Sequence, residues 1–284
     1  MNTEQIQIRE NQRKSWNSFS GGWKKWDNFT MKFLQQQGQS IIDALSLRPA
    51  DKVLDIATGT GEPGLTIATL VNKGGSVIAT DLSEEMLHIA KVKAQLMSLD
   101  NFSTVVADAC HLPFEDNSFN AISCRLGFMF FPDMQLAARE MLRVLKPGGI
   151  LALTVWAEPS KNDWITSVME SLKRGHLELP SPNPNGPGLF RCAAPGFLPT
   201  LFAELGATRG KEKDISGIMN CESPNEYWDF MSEVIPPIVA TLKAAEAELH
   251  DSVKKDVVEN FRNRMSHSEY FKYSARLFTL NKSA

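Results

Sequence analysis

Three acidic residues and a glycine turn carry the chemical signal of this chain. Asp55 lies in the apolar run Lys52-Val-Leu-Asp-Ile-Ala57, just ahead of the turn Gly59-Thr-Gly61-Glu-Pro-Gly64. Asp81 and Asp108 follow the next two apolar runs. The glycines spell G-x-G-x-x-G, a spacing that lets the backbone turn tightly and approach a ligand closely. Amides at the start of the following helix favour an anionic group. Pro63 suits that first helical turn, where its missing N–H costs little. By itself the turn would serve a dinucleotide. Asp55 separates the two readings. A carboxylate beside the turn repels a pyrophosphate, whereas an aminoacyl sulfonium carries an ammonium and a positive sulfur that a carboxylate favours. Asp81 can accept hydrogen bonds from both ribose hydroxyls, a geometry that dinucleotide folds share.

Short apolar runs alternating with amphipathic segments must position these residues, which is the sequence form of βαβ units. Strands are expected at Lys52–Ala57, Ser76–Thr80, Ser103–Ala107, Asn120–Cys124 and Ile150–Val155. Helices are expected at about Pro63–Val71, at 84–98 after an N-cap at Ser83, and at Asp133–Leu145. The last stops at Lys146-Pro-Gly-Gly149, with lysine, proline and glycine in the order that ends helices. The fold class is therefore α/β, a doubly wound and mostly parallel sheet covered on both faces. Ligands on such sheets sit at the carboxyl ends of the strands.

The flanks read differently. Residues 1–47 look helical and carry Trp16, Phe19, Trp23 and Trp26. Residues 178–199 are rich in proline and glycine, too long for a passive connection. A sixth strand is expected near Lys211–Met219, helices over 223–265, and a final strand at Ala275–Leu280. The expected organisation is 1–47, a helical segment closing over the ligand; 48–156, the binding core; 157–222, an insertion and the sixth strand; and 223–284, a helical cap and the final strand. The stretches 157–200 and 223–265 would roof the strand ends.

Composition narrows the function. The net charge of −3 in 284 residues offers no basic footprint for nucleic acid. The N-terminus lacks the apolar stretch of a secretory signal, and no run approaches a membrane span, so a cytoplasmic protein is expected. Cys110, Cys124, Cys192 and Cys221 match no zinc spacing and read as free thiols. No metal site is expected.

The segment Asp55-Ile-Ala-Thr-Gly-Thr-Gly61 resembles the first motif of class I S-adenosylmethionine methyltransferases. Residues 52–156 resemble the ubiquinone/menaquinone-biosynthesis branch and its small-molecule relatives (methyltransferase type 11). Asp108-Ala-Cys-His-Leu-Pro-Phe114 is similar to the family's Asp-Ala-x-x-Leu-Pro-Phe pattern. The resemblance implies a seven-stranded Rossmann-like sheet with S-adenosyl-L-methionine as donor and S-adenosyl-L-homocysteine as product. It implies cofactor contacts from Asp55, Ala57, Thr58, Gly59 and Gly61, from Asp81 on the ribose, and from Leu82 and Met86 against the adenine. Asp108 and Ala109 would meet the adenine edge, and Arg125 would line the methionine end. An N-terminal aromatic would cover the sulfonium through its ring face; Trp23 is taken here, with Phe19 and Trp26 as alternatives. His111 is the candidate general base, a role that histidine side chains fill more often than other residues.

The implied reaction is direct in-line transfer of a methyl group to an oxygen, nitrogen or carbon of a small acceptor, apolar or aromatic in view of Phe128-Met-Phe-Phe131. The chain would act as a monomer or homodimer, without nucleic acid and without an integral membrane segment. An NAD-dependent oxidoreductase and a non-catalytic cofactor-binding module are the alternatives.

Overall fold

β1 (Lys52–Ile56) buries Val53, Leu54, Asp55 and Ile56 in succession. Continuous burial without alternation is what a central parallel strand covered on both faces requires. In the computed structural model, which describes residues 1–177, 186–207 and 210–283, β1 sits near the middle of a seven-stranded sheet. Three helices precede it: α1 (Thr3–Lys25), α2 (Asp27–Phe33) and α3 (Gln35–Leu45). The alternating core follows as α4 (Gly64–Leu70), β2 (Ser76–Asp81), α5 (Glu84–Leu96), β3 (Phe102–Val106), β4 (Phe119–Arg125), α6 (Met134–Val144) and β5 (Leu145–Trp156). The remainder is α7 (Asp163–Arg174), α8 (Phe197–Glu204), β6 (Lys211–Met219), α9 (Pro224–Val234), α10 (Pro236–Ala244), α11 (Ala247–Ser266) and β7 (Phe271–Asn281).

The strand order is β3-β2-β1-β4-β5-β7-β6. The first five strands are parallel, and β7 runs antiparallel to both of its neighbours. The doubly wound α/β class and the seven strands expected from the sequence are what the chain adopts. Side chains capping helix starts fix several boundaries. Ser83 Oγ accepts from Met86 N at 3.2 Å, and Asp133 Oδ1 accepts from Leu136 N at 2.9 Å.

Several boundaries shift by a residue or two from expectation, and three differences have a visible cause. Pro63 is the N-cap of α4 and the helix starts at Gly64, so the glycine turn extends one residue further. Lys146-Pro-Gly-Gly149 is part of β5, because Leu145 pairs with Phe119 and Gly148 N donates to Lys282 O at 2.8 Å. β7 begins at Phe271, because β6 offers a pairing partner along its whole length, ending in Met219↔Phe271.

Two apolar cores flank the sheet. The smaller packs Ile41, Leu45, Ile67 and Val71 of the α3/α4 side against Val53, Val77, Ala121 and Ala152. The larger gathers the opposite face with α6, α7 and α9. Each fully buried side chain such as Phe119, Leu54 or Phe278 contributes about 1.5–3 kcal/mol of transfer free energy. The segments 157–200 and 223–265 pack on one another. Tyr227 Oη donates to Trp164 O at 2.7 Å, and Arg264 Nη2 pairs with Asp163 at 2.8 Å. The proline-rich stretch expected at 178–199 falls partly on 178–185, outside the described residues.

Candidate active site

The site forms where the chain leaves neighbouring strands in opposite directions, between β1 and β4. Both strands end on a residue in the left-handed region, Ala57 with φ 54° and Leu126 with φ 57°. Non-glycine residues are uncommon there and cluster at functional turns. The two turns touch. A Cβ on Gly127 would stand 2.5 Å from the Ala57 Cβ, so only glycine fits between them.

Asp55 holds this junction together. Its Oδ2 accepts from Thr58 Oγ1 at 2.6 Å and from Gly64 N at 3.1 Å, while its Oδ1 accepts from Ser123 Oγ at 2.6 Å. One carboxylate thereby joins the start of the turn, the start of α4 and the adjacent strand. Burial outweighs these bonds and the nearby Arg125 charge, and pushes the Asp55 carboxyl up to about 6.

Asp81, at the end of β2, accepts from Gly59 N at 2.9 Å with Oδ2 and from Ser83 N at 2.8 Å with Oδ1. Each oxygen keeps a further lone pair for a ligand. Burial raises its pKa against those backbone donors.

A cavity opens over these strand ends. Its β2/β3 side is lined by Asp81, Leu82, Met86, Asp108 and Ala109; its floor by Ala57, Thr58, Gly59 and Arg125; and its roof by Gln12, Trp16 and Trp23 of α1. Toward β5 it continues between Phe33, Trp156, Trp164, Phe230, Ile235 and Pro236. Both segments expected to roof the site, 157–200 and 223–265, supply lining residues.

Three expected site residues lie elsewhere. Asp55 is fully buried beneath the turn and does not line the cavity, so it braces the loop rather than facing a ligand. Gly61 also lies off the cavity wall. A Cβ there would meet Leu65 Cδ1 at 2.6 Å and Ala90 Cβ at 3.2 Å, so its role is close packing of α4 and α5. His111 is exposed and outside the cavity, with its amide bonded to Asp108 O at 2.8 Å. Its backbone pairs with Asp108 in a small isolated antiparallel bridge. Of the three N-terminal aromatics, Trp23 lines the cavity. Phe19 and Trp26 do not, and Trp26 Nε1 instead donates to Glu233 at 2.8 Å.

Thr30, Phe33, Glu62, Trp156, Trp164 and Phe230 line the cavity without having been singled out in the sequence. Trp156 carried a signal, since it ends the fifth strand where ligands gather. Glu62 belongs to the glycine turn, and Thr30, Phe33, Trp164 and Phe230 arrive from helices whose packing direction no local pattern encodes.

The polar atoms of the cavity suit a nucleoside bearing an amino-acid tail. Asp108 Oδ2 is buried without a donor, with Arg9 Nη1 at 3.8 Å. Arg125 is the one lysine or arginine among the described cavity residues. It forms no ion pair within 4.0 Å, and burial lowers its pKa against the charges of Glu62, Asp55 and Asp27. Its Nη1 is 3.7 Å from the Cβ position of Gly38, behind the glycine turn. An acceptor without a hydrogen-bond donor at one end and a cation without an ion pair beyond the turn complement an adenine amine and a carboxylate. The thiols of Cys110, Cys192 and Cys221 are pushed up to about 12, chiefly by burial. No group of three or more His, Cys, Asp or Glu suited to a metal ion occurs among the described residues. No helix among them is long and apolar enough to cross a membrane.

Fold and site together define a Rossmann-like domain of the methyltransferase class. The chain belongs to the ubiE/COQ5 methyltransferase family, whose model matches residues 15–166. It is similar to the demethylmenaquinone methyltransferases of Staphylococcus aureus, strains JH9 and Newman among them, with 36% identity over 141 residues, 48% of this chain. The match spans 58% of those relatives' length. Among solved structures, the YcgJ protein from Bacillus subtilis aligns over 88% of this chain and 99% of its own with 20% identity and a TM-score of 0.56. Haemonchus contortus phosphoethanolamine N-methyltransferase 2, solved in complex with S-adenosyl-L-methionine, aligns over 87% of this chain and 52% of its own with 17% identity and a TM-score of 0.53. These two likenesses concern the fold.

Proposed function

We propose that this chain is an S-adenosyl-L-methionine-dependent methyltransferase acting on a small, apolar or aromatic acceptor. The observation that carries the reading is one continuous cavity running from Asp81 and Asp108, past Gly59 and Arg125, into the aromatic compartment around Phe33, Trp156 and Trp164. When bound, S-adenosyl-L-methionine supplies a methyl group made electrophilic by a positive sulfur. Asp81 would receive the ribose hydroxyls and Asp108 Oδ2 the adenine amine, with Leu82, Met86 and Ala109 against the ring. Ala57, Thr58 and Gly59 would carry the aminoacyl portion, and Arg125 would take its carboxylate in a charge-assisted pair. Trp16 and Trp23 would cover this end from α1. The aromatic compartment holds the acceptor in line with the donor and excludes water, and that positioning supplies much of the rate.

Family membership and the order of the acidic residues weigh against an NAD-dependent oxidoreductase. The Staphylococcus aureus relatives are named for demethylmenaquinone, so quinone-type acceptors head the panel to be tested. Titration calorimetry with S-adenosyl-L-methionine, S-adenosyl-L-homocysteine and NAD tests the donor. Binding of the first two and not of NAD is expected, and the reverse would overturn the reading. Transfer of a labelled methyl group to a metabolite panel tests catalysis. Tight binding without transfer to any acceptor would point to a non-catalytic module.

A further inference from the structure

Three consecutive residues tie the glycine turn to the far wall of the cavity. α1 and α2 meet at Lys25-Trp26-Asp27. Asp27 reaches toward the turn. Its Oδ1 accepts from Thr60 Oγ1 at 3.0 Å and from Lys93 Nζ at 3.0 Å, and Lys93 Nζ stands 2.9 Å from Oδ2. Thr60 belongs to the glycine turn, is buried and lines the cavity. Lys93 lies on α5. One carboxylate thus joins α2, the turn and α5.

Lys25 and Trp26 reach the opposite way. Lys25 Nζ donates to both oxygens of Glu233 at 2.7 Å, and Trp26 Nε1 donates to Glu233 Oε2 at 2.8 Å. Glu233 sits near the end of α9. A Cβ on Gly22 would stand 2.7 Å from Glu233 O, so α1 lies directly on that helix end. The Trp26 ring meets Phe230 in a T-shaped contact at 5.6 Å, and Phe29 of α2 meets Phe230 at 4.5 Å. Phe230 and Val234 of α9 line the aromatic compartment. Trp26, itself off the cavity wall, therefore backs a residue that is on it.

We infer that Asp27 and Glu233 are positioning residues, through which an occupied donor end orders the α9 wall of the aromatic compartment. The inference rests on the methyl-donor reading above. The side chains of Lys25 and Glu233 are 61% and 37% exposed, and ion pairs so exposed contribute little by themselves. The hold of the junction on α9 then depends on what fixes the junction, and Asp27 fixes it through the turn. A ligand resting on the turn immobilises Thr60, and the order passes through Asp27 to Trp26 and Phe230 with no contact between ligand and α9. Binding that orders one part of a protein lowers the cost of ordering what is coupled to it. The donor prepares the acceptor wall, and by linkage an occupant of the aromatic compartment tightens the donor by the same factor.

The test is hydrogen exchange of the full chain, read by mass spectrometry with and without saturating S-adenosyl-L-homocysteine. The amides of Pro224–Val234 are expected to exchange about fivefold more slowly in the complex. That gain is counted beyond any change in β6, at the far edge of the sheet, which reports global stabilisation. Asp27→Ala and Glu233→Ala are each expected to bind S-adenosyl-L-homocysteine within about threefold of the parent and to lose the gain in α9. Asp27→Asn, which keeps an oxygen for Thr60, should retain most of it. The two alanine variants cut the path at opposite ends, so if one fails to fold the other decides. No gain in the parent, or a gain that survives in either folded alanine variant, overturns the inference. Failure of S-adenosyl-L-homocysteine to bind the parent overturns the donor reading instead.

Discussion

Ser123 donates a hydrogen bond to Asp55 across the two strands that part at the site, Oγ to Oδ1 at 2.6 Å. The two residues are direct partners in the β1/β4 register. The bond fixes the junction from below, and the same carboxylate reaches Thr58 and Gly64 on the turn above. An acid that lies under the glycine turn therefore shapes it without lining the cavity.

The Asp55 carboxyl is raised to about 6 from an ordinary 3.8. Between those values the folded chain holds a proton that the unfolded chain has lost. Stability from this group is complete below the unfolded value and declines as pH rises through the folded one. A shift of about two units corresponds to roughly 3 kcal/mol. Asp55→Asn keeps an oxygen for Thr58 and Gly64 and removes the charge. Urea denaturation between about pH 4 and pH 7 is expected to show a flatter profile for the variant, with neutral-pH stability equal to or above that of the parent. Parallel profiles would contradict the assignment.

Gly64 begins α4 directly against the same carboxylate. A Cβ at this position would stand 2.7 Å from Asp55 Oδ2 and 3.2 Å from Asp55 Cβ. Gly64→Ala must displace the acid or the helix, at a cost of about 1–3 kcal/mol. Thermal melting should register the loss, and S-adenosyl-L-homocysteine affinity should fall with it because the turn shifts. An unchanged melting temperature would show that the junction yields freely.

Arg125 has a ligand-specific test. Arg125→Met preserves much of the side-chain volume and removes the only cation on the described cavity wall. Loss of a charge-assisted pair predicts roughly 10- to 100-fold weaker binding of S-adenosyl-L-homocysteine. Methylthioadenosine, which lacks the amino-acid tail, should bind both proteins alike. Equal losses for the two ligands would mean that Arg125 supports the fold of the site instead.

His111 provides the opposite case. It is exposed and lies off the cavity, so His111→Ala should leave methyl-transfer kcat/KM within about twofold of the parent at every pH tested, as for a surface substitution. A loss of a hundredfold or more would restore it as a general base.

The sequence by itself determined the alternation of strands and helices, the glycine turn and the acidic residues that follow successive strands. These are local matters: hydrophobic period, helix caps and backbone freedom are written into neighbouring residues. Asp81, Asp108 and Trp23 stood out in the sequence as candidates, and all three line one cavity. Tertiary structure alone decided that Asp55 faces Ser123 rather than a ligand, that His111 turns outward, and that Thr30, Phe33, Trp164 and Phe230 complete the aromatic compartment. The physical reason is that an inward or outward direction belongs to the packing of whole elements. α2, α7 and α9 meet over β5 through contacts between residues distant in the chain, Tyr227 with Trp164 among them. No spacing along the chain encodes such a meeting. The acid before the glycine turn keeps its importance as the brace beneath that turn.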